Sequence, residues 1–220
     1  MKRILRGVVF DMDGVIIDSH PAHRLAWKSF LRTLGRETSD EELDFILDGR
    51  KREEIMKYFL GELAPDQIAA YGNRKDELFC RHSEAMQPIP GVVEFLDCLS
   101  EAGIRMAIAT SASRRRACGT LEELKLACSF HTIVTGDDIR SGKPDPAIYQ
   151  LAAERMQESP ECLLAVEDAV SGVKSARAAG FRCLAVGPAQ RADLLRAAGA
   201  DPVIPDFRSF SLSQLEASFR

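Results

Sequence analysis

Two aspartates one residue apart, Asp11 and Asp13, stand directly behind the apolar run Val8-Val9-Phe10 and in front of Gly14. β-Branched valines suit a buried strand, so the acids fall at a strand's carboxyl end. Side chains at i and i+2 of an extended chain point the same way, which predicts Asp11 and Asp13 side by side. In an open α/β sheet that edge is where ligands bind, and Gly14 lets the chain turn without a Cβ in the way. Carboxylates held so close repel unless a cation or a shared proton lies between them. The chemistry such a pair suits is attack by one carboxylate and proton transfer by the other, with Mg²⁺ bridging the site. Two solvated acids closing a strand is the plainer use of the same residues, and an isolated Asp-x-Asp-Gly favours it.

Three stretches downstream change that balance. Thr110-Ser111 follows the apolar run ending at Ala109 and opens a helix, where hydroxyls and backbone N–H groups form an anion site. Ser141-Gly142-Lys143-Pro144-Asp145-Pro146 holds one lysine in a stiff loop, able to face a phosphoryl group or a carboxylate. Leu163-Leu164-Ala165-Val166 ends in Glu167-Asp168, a second apolar strand ending in acids. Asp168 is thus a third carboxylate for a metal, with Asp11 and a backbone carbonyl near Asp13, so the metal set is Asp11, Asp13 and Asp168. Each stretch alone has an ordinary use as a helix cap or a surface lysine. Together they lie at strand ends or in the loops beyond, where they converge on one crevice. The segment from Gly136 to Pro144 is not a phosphate-binding P-loop, because its glycine spacing is one residue too long and proline replaces the Ser/Thr.

The elements that must position these residues are legible in outline. After Asp18 the apolar residues recur at helical spacing (Leu25, Trp27, Phe30, Leu31, Leu34). Ser39 to Glu42 reads as a capping box for a helix toward Leu47, Ile55-Met56-Phe59 as a third helix, and Pro65 to Met86 as a fourth. Between the third helix and the one before it lies the basic loop Arg50-Lys51-Arg52. From Gly91 the rhythm is helix, strand, helix, strand, with strands at Arg105–Ala109, Thr132–Val134, Leu163–Val166, Arg182–Val186 and Pro202–Ile204. Asp145-Pro146 reads as a helix N-cap followed by proline at the first helical position. The expectation is an α/β fold: a Rossmann-like parallel sheet core formed by 1–17 and 88–220, with an all-helical insertion at 18–87.

Composition narrows the partners. The 220 residues carry a formal net charge of −4 and are 45% hydrophobic and 28% charged, ordinary for a globular chain with a sizeable core. An acidic balance argues against a general nucleic-acid binder. No apolar run is long enough to span a bilayer, and Met1 to Arg6 is not a signal peptide, so no membrane partner and a cytoplasmic location are expected. Six cysteines without a C-x-x-C pair read as free thiols in a reducing compartment, not a zinc site. The chain is taken as a monomer.

These motifs identify a resemblance. Asp11-Met12-Asp13-Gly14-Val15, Thr110, Gly142-Lys143-Pro144-Asp145-Pro146 and Glu167-Asp168 resemble the haloacid dehalogenase superfamily, in the subgroup with a helical cap after the first strand. Asp13 places the chain with the phosphatases and phosphomutases, nearest in likeness to β-phosphoglucomutases and related sugar phosphatases. The resemblance implies a small phosphorylated metabolite as substrate and Mg²⁺ as cofactor. It implies that Asp11 attacks phosphorus to form an aspartyl-phosphate and that Asp13 is acid and base. Thr110, Ser111 and Lys143 would hold the phosphate, and Glu167 would support the site from behind. His23 and Arg52 on the cap, with Arg114, are the implied substrate contacts. Where mutases carry a Ser-Lys-Asn phosphate-contact run, this chain has Ala112-Ser113-Arg114-Arg115. Hydrolysis and mutase chemistry use the same motifs. A catalytically idle relative that binds a phosphorylated ligand is the reading of a different class, and the complete acid set disfavours it.

Overall fold

The computed structural model of the chain describes residues 4–46, 48–82 and 86–219. Strand β1 (Gly7–Phe10) lies at the centre of a parallel sheet. It is flanked by β2 (Arg105–Ala109) and β4 (Leu163–Glu167). Outside them run β3 (Thr132–Val134), β5 (Arg182–Val186) and β6 (Val203–Ile204), in the order β3-β2-β1-β4-β5-β6. The chain builds one half outward from β1, then crosses back to build the other. The topological reversal therefore falls beside β1, where open α/β sheets hold their ligands.

Every residue of β1 is buried, because helices cover both faces of the sheet. Val8 and Phe10 point into one cluster with α5 (Val92–Glu101), α6 (Arg114–Glu123) and α10 (Leu212–Phe219). Val9 points into the other, with α7 (Ala147–Met156), α8 (Val170–Ala178) and α9 (Ala192–Ala198). That alternation is the period of two of a pleated strand.

Four helices intervene between β1 and α5: α1 (His20–Thr33), α2 (Asp40–Ile46), α3 (Arg52–Leu60) and α4 (Pro65–His82). They bury an apolar cluster of their own around Trp27, Phe30, Met56 and Phe79. The chain enters and leaves this unit along two adjacent strands of backbone. The Asp18 amide donates to the Gln87 carbonyl (2.9 Å) and the Ile89 amide to the Ile16 carbonyl (3.0 Å). The capping box of α2 forms, with the Glu42 amide donating to Ser39 Oγ (3.3 Å) and the Ser39 amide to Glu42 Oε2 (3.0 Å).

Some boundaries differ from the sequence pattern. Helix α7 starts at Ala147, one residue later than the proline-first reading, because Pro146 is its N-cap and Asp145 Oδ1 accepts from the Ala147 amide (2.9 Å). Helices α9 and α10 were not among the elements expected from the sequence. The expected end of the second helix, at Leu47, lies outside the described residues, as do Met1 to Arg3 and residues 83–85; the fourth helix runs to His82, and Met86, its expected end, is not helical. Cys98, Cys118, Cys128, Cys162 and Cys183 are free thiols. Among the described residues, no helix is long and apolar enough to cross a membrane.

Candidate active site

The carboxyl end of β1 delivers Asp11 into a buried ion cluster. Lys143 Nζ donates to Asp11 Oδ1 (2.9 Å), to Glu167 Oε1 (2.5 Å) and to the Ala109 carbonyl (3.1 Å). One ammonium thus joins the ends of β1, β2 and β4, and its own side chain is only 1% exposed. Burial works against the charge on Lys143, but Asp11 and then Glu167 outweigh it and hold the ammonium above the ordinary lysine range. Burial also lifts the Asp11 carboxyl well above its usual range; Lys143 opposes this, while Glu167, Asp168 and Asp13 add to it. Glu167 is fully engaged. Tyr149 Oη donates to Oε1 (2.7 Å), and the Asp168 amide donates to Oε2 (3.1 Å). A Cβ on Gly172 would lie 2.1 Å from this carboxylate, so the first turn of α8 needs glycine there.

Asp13 does not stand in an extended strand beside Asp11. The strand stops at Phe10, and the amides of Ile16 and Ile17 turn back to donate to the Met12 carbonyl (2.9 and 3.1 Å). Asp13 therefore looks toward the helical unit. Its Oδ1 accepts from Ser19 Oγ (2.6 Å) and Arg116 Nη1 (2.9 Å), and its Oδ2 from Arg116 Nη2 (2.5 Å). His23 Nε2 lies 3.3 Å from Oδ1, and Lys75 Nζ lies 3.0 Å from His23 Nδ1. Lysine only donates, so Nδ1 accepts and Nε2 carries the hydrogen offered to Asp13. Burial, reinforced by Lys75, pushes His23 down to about 3, so the ring is neutral at pH 7. Burial alone would raise Asp13, but Arg116 and then His23 hold it well below the usual carboxylate range.

Asp11 and Asp13 face one cavity of about 80 Å³, whose wall includes Thr110, Ser111, Asp168, His23, Arg52, Lys75 and Arg116. Thr110 is 1% exposed and its Oγ1 accepts from the Ala112 amide (3.2 Å). Ser111 is committed to the helical unit, its Oγ donating to the Gly49 carbonyl (2.7 Å). The loop and the start of α3 are tied to the core further, by Lys51 Nζ on the Ile139 carbonyl (2.8 Å), the Ser171 amide on Asp48 Oδ1 (3.3 Å) and the Gly142 amide on Glu54 Oε1 (3.2 Å). Arg52 lies between Asp76 of α4 (3.5 Å) and Asp137 of the core (3.6 Å).

Arg114 is not brought to the site. Its guanidinium pairs with Asp138 (2.7 and 2.9 Å) at the exposed end of α6. Two residues along a helix are about 200° apart, so Arg116 points where Arg114 cannot. Arg116 and Lys75 were not among the residues singled out from the sequence. A signal was present. Arg116 precedes Thr120 by four, and Lys75 precedes Phe79 by four, so both fall on buried helical stripes.

Oxygens of Asp11, Glu167 and Asp168 lie within 4.8 Å of one another, all buried. With Glu167 saturated, Asp11 and Asp168 are the acids free to hold a cation. Asp168 Oδ2 is buried with no hydrogen bond of good geometry and only the His20 ring beside it at 3.1 Å. Burial lowers the His20 pKa, but Asp168 outweighs it and raises the value overall. A hard dication with oxygen ligands fits this set. The Asp13 side chain is turned to Arg116, which leaves the backbone carbonyl expected near Asp13 as the third protein ligand beside Asp11 and Asp168.

Residues 8–186 match the family model of the haloacid dehalogenase-like hydrolases. The chain is 33% identical over 178 residues to the phosphorylated carbohydrates phosphatase of Thermotoga maritima, covering 80% of this chain and 82% of that one. It is 32% identical over 222 residues to the β-phosphoglucomutase of Bacillus subtilis, covering 96% and 94%. The structure of CbbY from Rhodobacter sphaeroides, in complex with phosphate, superposes with a TM-score of 0.84 at 27% identity, covering 97% of this chain and all of that one.

Proposed function

The chain belongs to the haloacid dehalogenase-like hydrolase family, and from that premise we propose a Mg²⁺-dependent phosphoryl-transfer enzyme acting on a small phosphorylated metabolite, a sugar phosphate. The observation that carries the reading is the Asp11–Lys143–Glu167 cluster at the end of the central strand, opening on a cavity that Asp13 also lines. Lys143 fixes the Asp11 carboxylate, which attacks phosphorus and becomes an aspartyl-phosphate as the leaving oxygen departs. Asp13 gives that oxygen its proton, then takes one from the water that hydrolyses the acyl-phosphate. Thr110 and Lys143 offset the charge on the phosphoryl oxygens. Asp11 and Asp168 would hold the Mg²⁺, which would supply further positive charge to the site.

Residues 18–87 act as a lid over the core of 1–17 and 88–220. Support comes from the paired backbone crossings at 16–18 and 87–89 and from the separate apolar cluster, which let the unit move as a body. Hydrolysis is the primary reading. Phosphomutase chemistry is the second, favoured by the match to a β-phosphoglucomutase along 96% of the chain, helical unit included.

The test is phosphate release from a panel of sugar phosphates with and without Mg²⁺, alongside conversion of β-glucose 1-phosphate to glucose 6-phosphate with a bisphosphate primer. Mg²⁺-dependent release marks a phosphatase, and isomer formation without release marks a mutase. Neither activity, with acetyl phosphate also untouched, would sink the reading.

A further inference from the structure

Arg116 comes from the core helix α6, yet its guanidinium lies in the cavity wall with its side chain 9% exposed. It forks onto both oxygens of Asp13 and lies 5.0 Å from the centre of the Phe79 ring. Asp13 Oδ1 takes three donors, namely Ser19, His23 and one arm of this fork. A carboxylate offers about four acceptor positions in all, so little of Asp13 remains for a substrate oxygen. A reacting oxygen reaches Asp13 only when the fork lets go of at least one side.

The released guanidinium keeps only the longer-range pull of Asp76 and Asp11, which leaves a buried cation underpaired and is costly unless a new partner arrives. Among the described residues, Asp13 is the one acid at ion-pair distance from Arg116. The next acid in the wall, Asp76, is already shared by Arg52 (3.5 Å), Lys75 (3.8 Å) and Ser113 (3.3 Å). The protein supplies no replacement, so the ligand must. A planar guanidinium with paired donors suits a carboxylate or a phosphate, and a sugar hydroxyl leaves its charge uncompensated.

We propose that Arg116 is a specificity-determining residue that passes from Asp13 to a second anionic group of the substrate, so that the site favours metabolites carrying a carboxylate or further phosphate besides the phosphate that is transferred. This rests on the phosphoryl-transfer reading of the same site. It assigns a role to the last of the three arginines that begin α6.

Binding by the inert Asp11→Asn protein tests this apart from turnover. Calorimetry would compare fructose 1,6-bisphosphate and 6-phosphogluconate with glucose 6-phosphate, each against Asp11→Asn and Asp11→Asn/Arg116→Ala. The two-anion ligands should bind at least about 10-fold tighter than glucose 6-phosphate, and the Arg116 change should reduce that ratio below about 3-fold. If the Arg116 change collapses the ratio for only one of the two, the second group of that ligand is the anion read. Arg116→Gln, which keeps length and loses charge, replaces alanine if the latter does not fold. An unchanged ratio, or no preference in the parent, overturns the proposal. Failure of the phosphoryl-transfer reading looks different: wild type releases no phosphate from any compound, acetyl phosphate included, whatever the binding ratio.

Discussion

Asp11 and Asp13 are two residues apart, and their surroundings push them in opposite directions. Asp11 lies among acids with one lysine, and burial raises its carboxyl well above the usual range. Asp13 lies among cations, and Arg116 holds its carboxyl well below. The first environment is built from the core: Ala109 and Glu167 end parallel strands, and Lys143 and Asp168 sit in the loops beyond such ends. The second is assembled across a boundary, with Ser19, His23 and Lys75 from the helical unit and Arg116 from the core. These directions are the reverse of what a nucleophile and a general acid need, so Asp13 can hold the proton it gives up only once Arg116 has let go of it, and Asp11 is ionised for attack by Lys143. The division also says which half can change on substrate entry. The core half is locked to the sheet, whereas the other half comes apart if the helical unit moves.

Changes in the core half should be the most severe. Asp11→Asn keeps the shape and removes the nucleophile, so turnover of every substrate falls to background while the folded protein persists by circular dichroism. Wild-type-like turnover, with contamination excluded, would refute the assignment. Lys143→Met leaves Asp11 and Glu167 buried without their shared cation. It should cost about 3–5 kcal/mol in urea unfolding as well as activity. A stable but inactive variant would mean that the acids take up protons or a metal in the lysine's place.

The same comparison explains what could be read from the sequence. The core half was legible because strand ends are local features: an apolar run closing on Asp11, another on Glu167-Asp168, a lysine before Pro144. Parallel sheets gather such ends at one edge, so order along the chain sufficed. The helical half was only partly legible. His23 and Arg52 do line the cavity, but the partners of His23 depend on how α1 packs against α4 and how that pair meets α6. Arg114 was named and Arg116 was not, because only the helix phase decides that Arg114 goes to Asp138 and Arg116 to Asp13. Helix α10 was missed for a related reason. Its Leu215 and Phe219 have their place beneath β1 and α5 only once the sheet exists.

A smaller effect is expected at the boundary itself. Arg52 bridges Asp76 of the helical unit and Asp137 of the core, lining the cavity as it does so. Arg52→Ala should lower kcat/KM for the preferred sugar phosphate by about 10- to 100-fold, the loss expected for one charge-assisted hydrogen bond. Acetyl phosphate, too small to touch the helical unit, should be hydrolysed at nearly the wild-type rate. Equal losses on both would mean that Arg52 holds the unit in place and does not read the substrate.

The mildest test concerns Lys75, where the cation-rich half should show itself in stability. Lys75 is 4% exposed, against the Phe79 ring (4.9 Å) and His23, with Asp76 no nearer than 3.8 Å. Burial first, then repulsion by Arg116, brings it from its ordinary 10.5 down to about 7, although Asp76 and Asp13 pull the other way. Between those two values the unfolded chain holds a proton on this lysine that the folded protein has given up. Stability therefore rises with pH across that window, and the penalty is complete below about pH 7. Lys75→Met has no such proton. The stability of wild type relative to Lys75→Met, from urea unfolding at successive pH values between 7 and 10, should climb with pH. Subtracting the two curves cancels every other titrating group common to both proteins. Parallel curves would mean that Lys75 keeps its charge throughout, and that Asp13 and Asp76 balance the three cations more fully than their spacing implies.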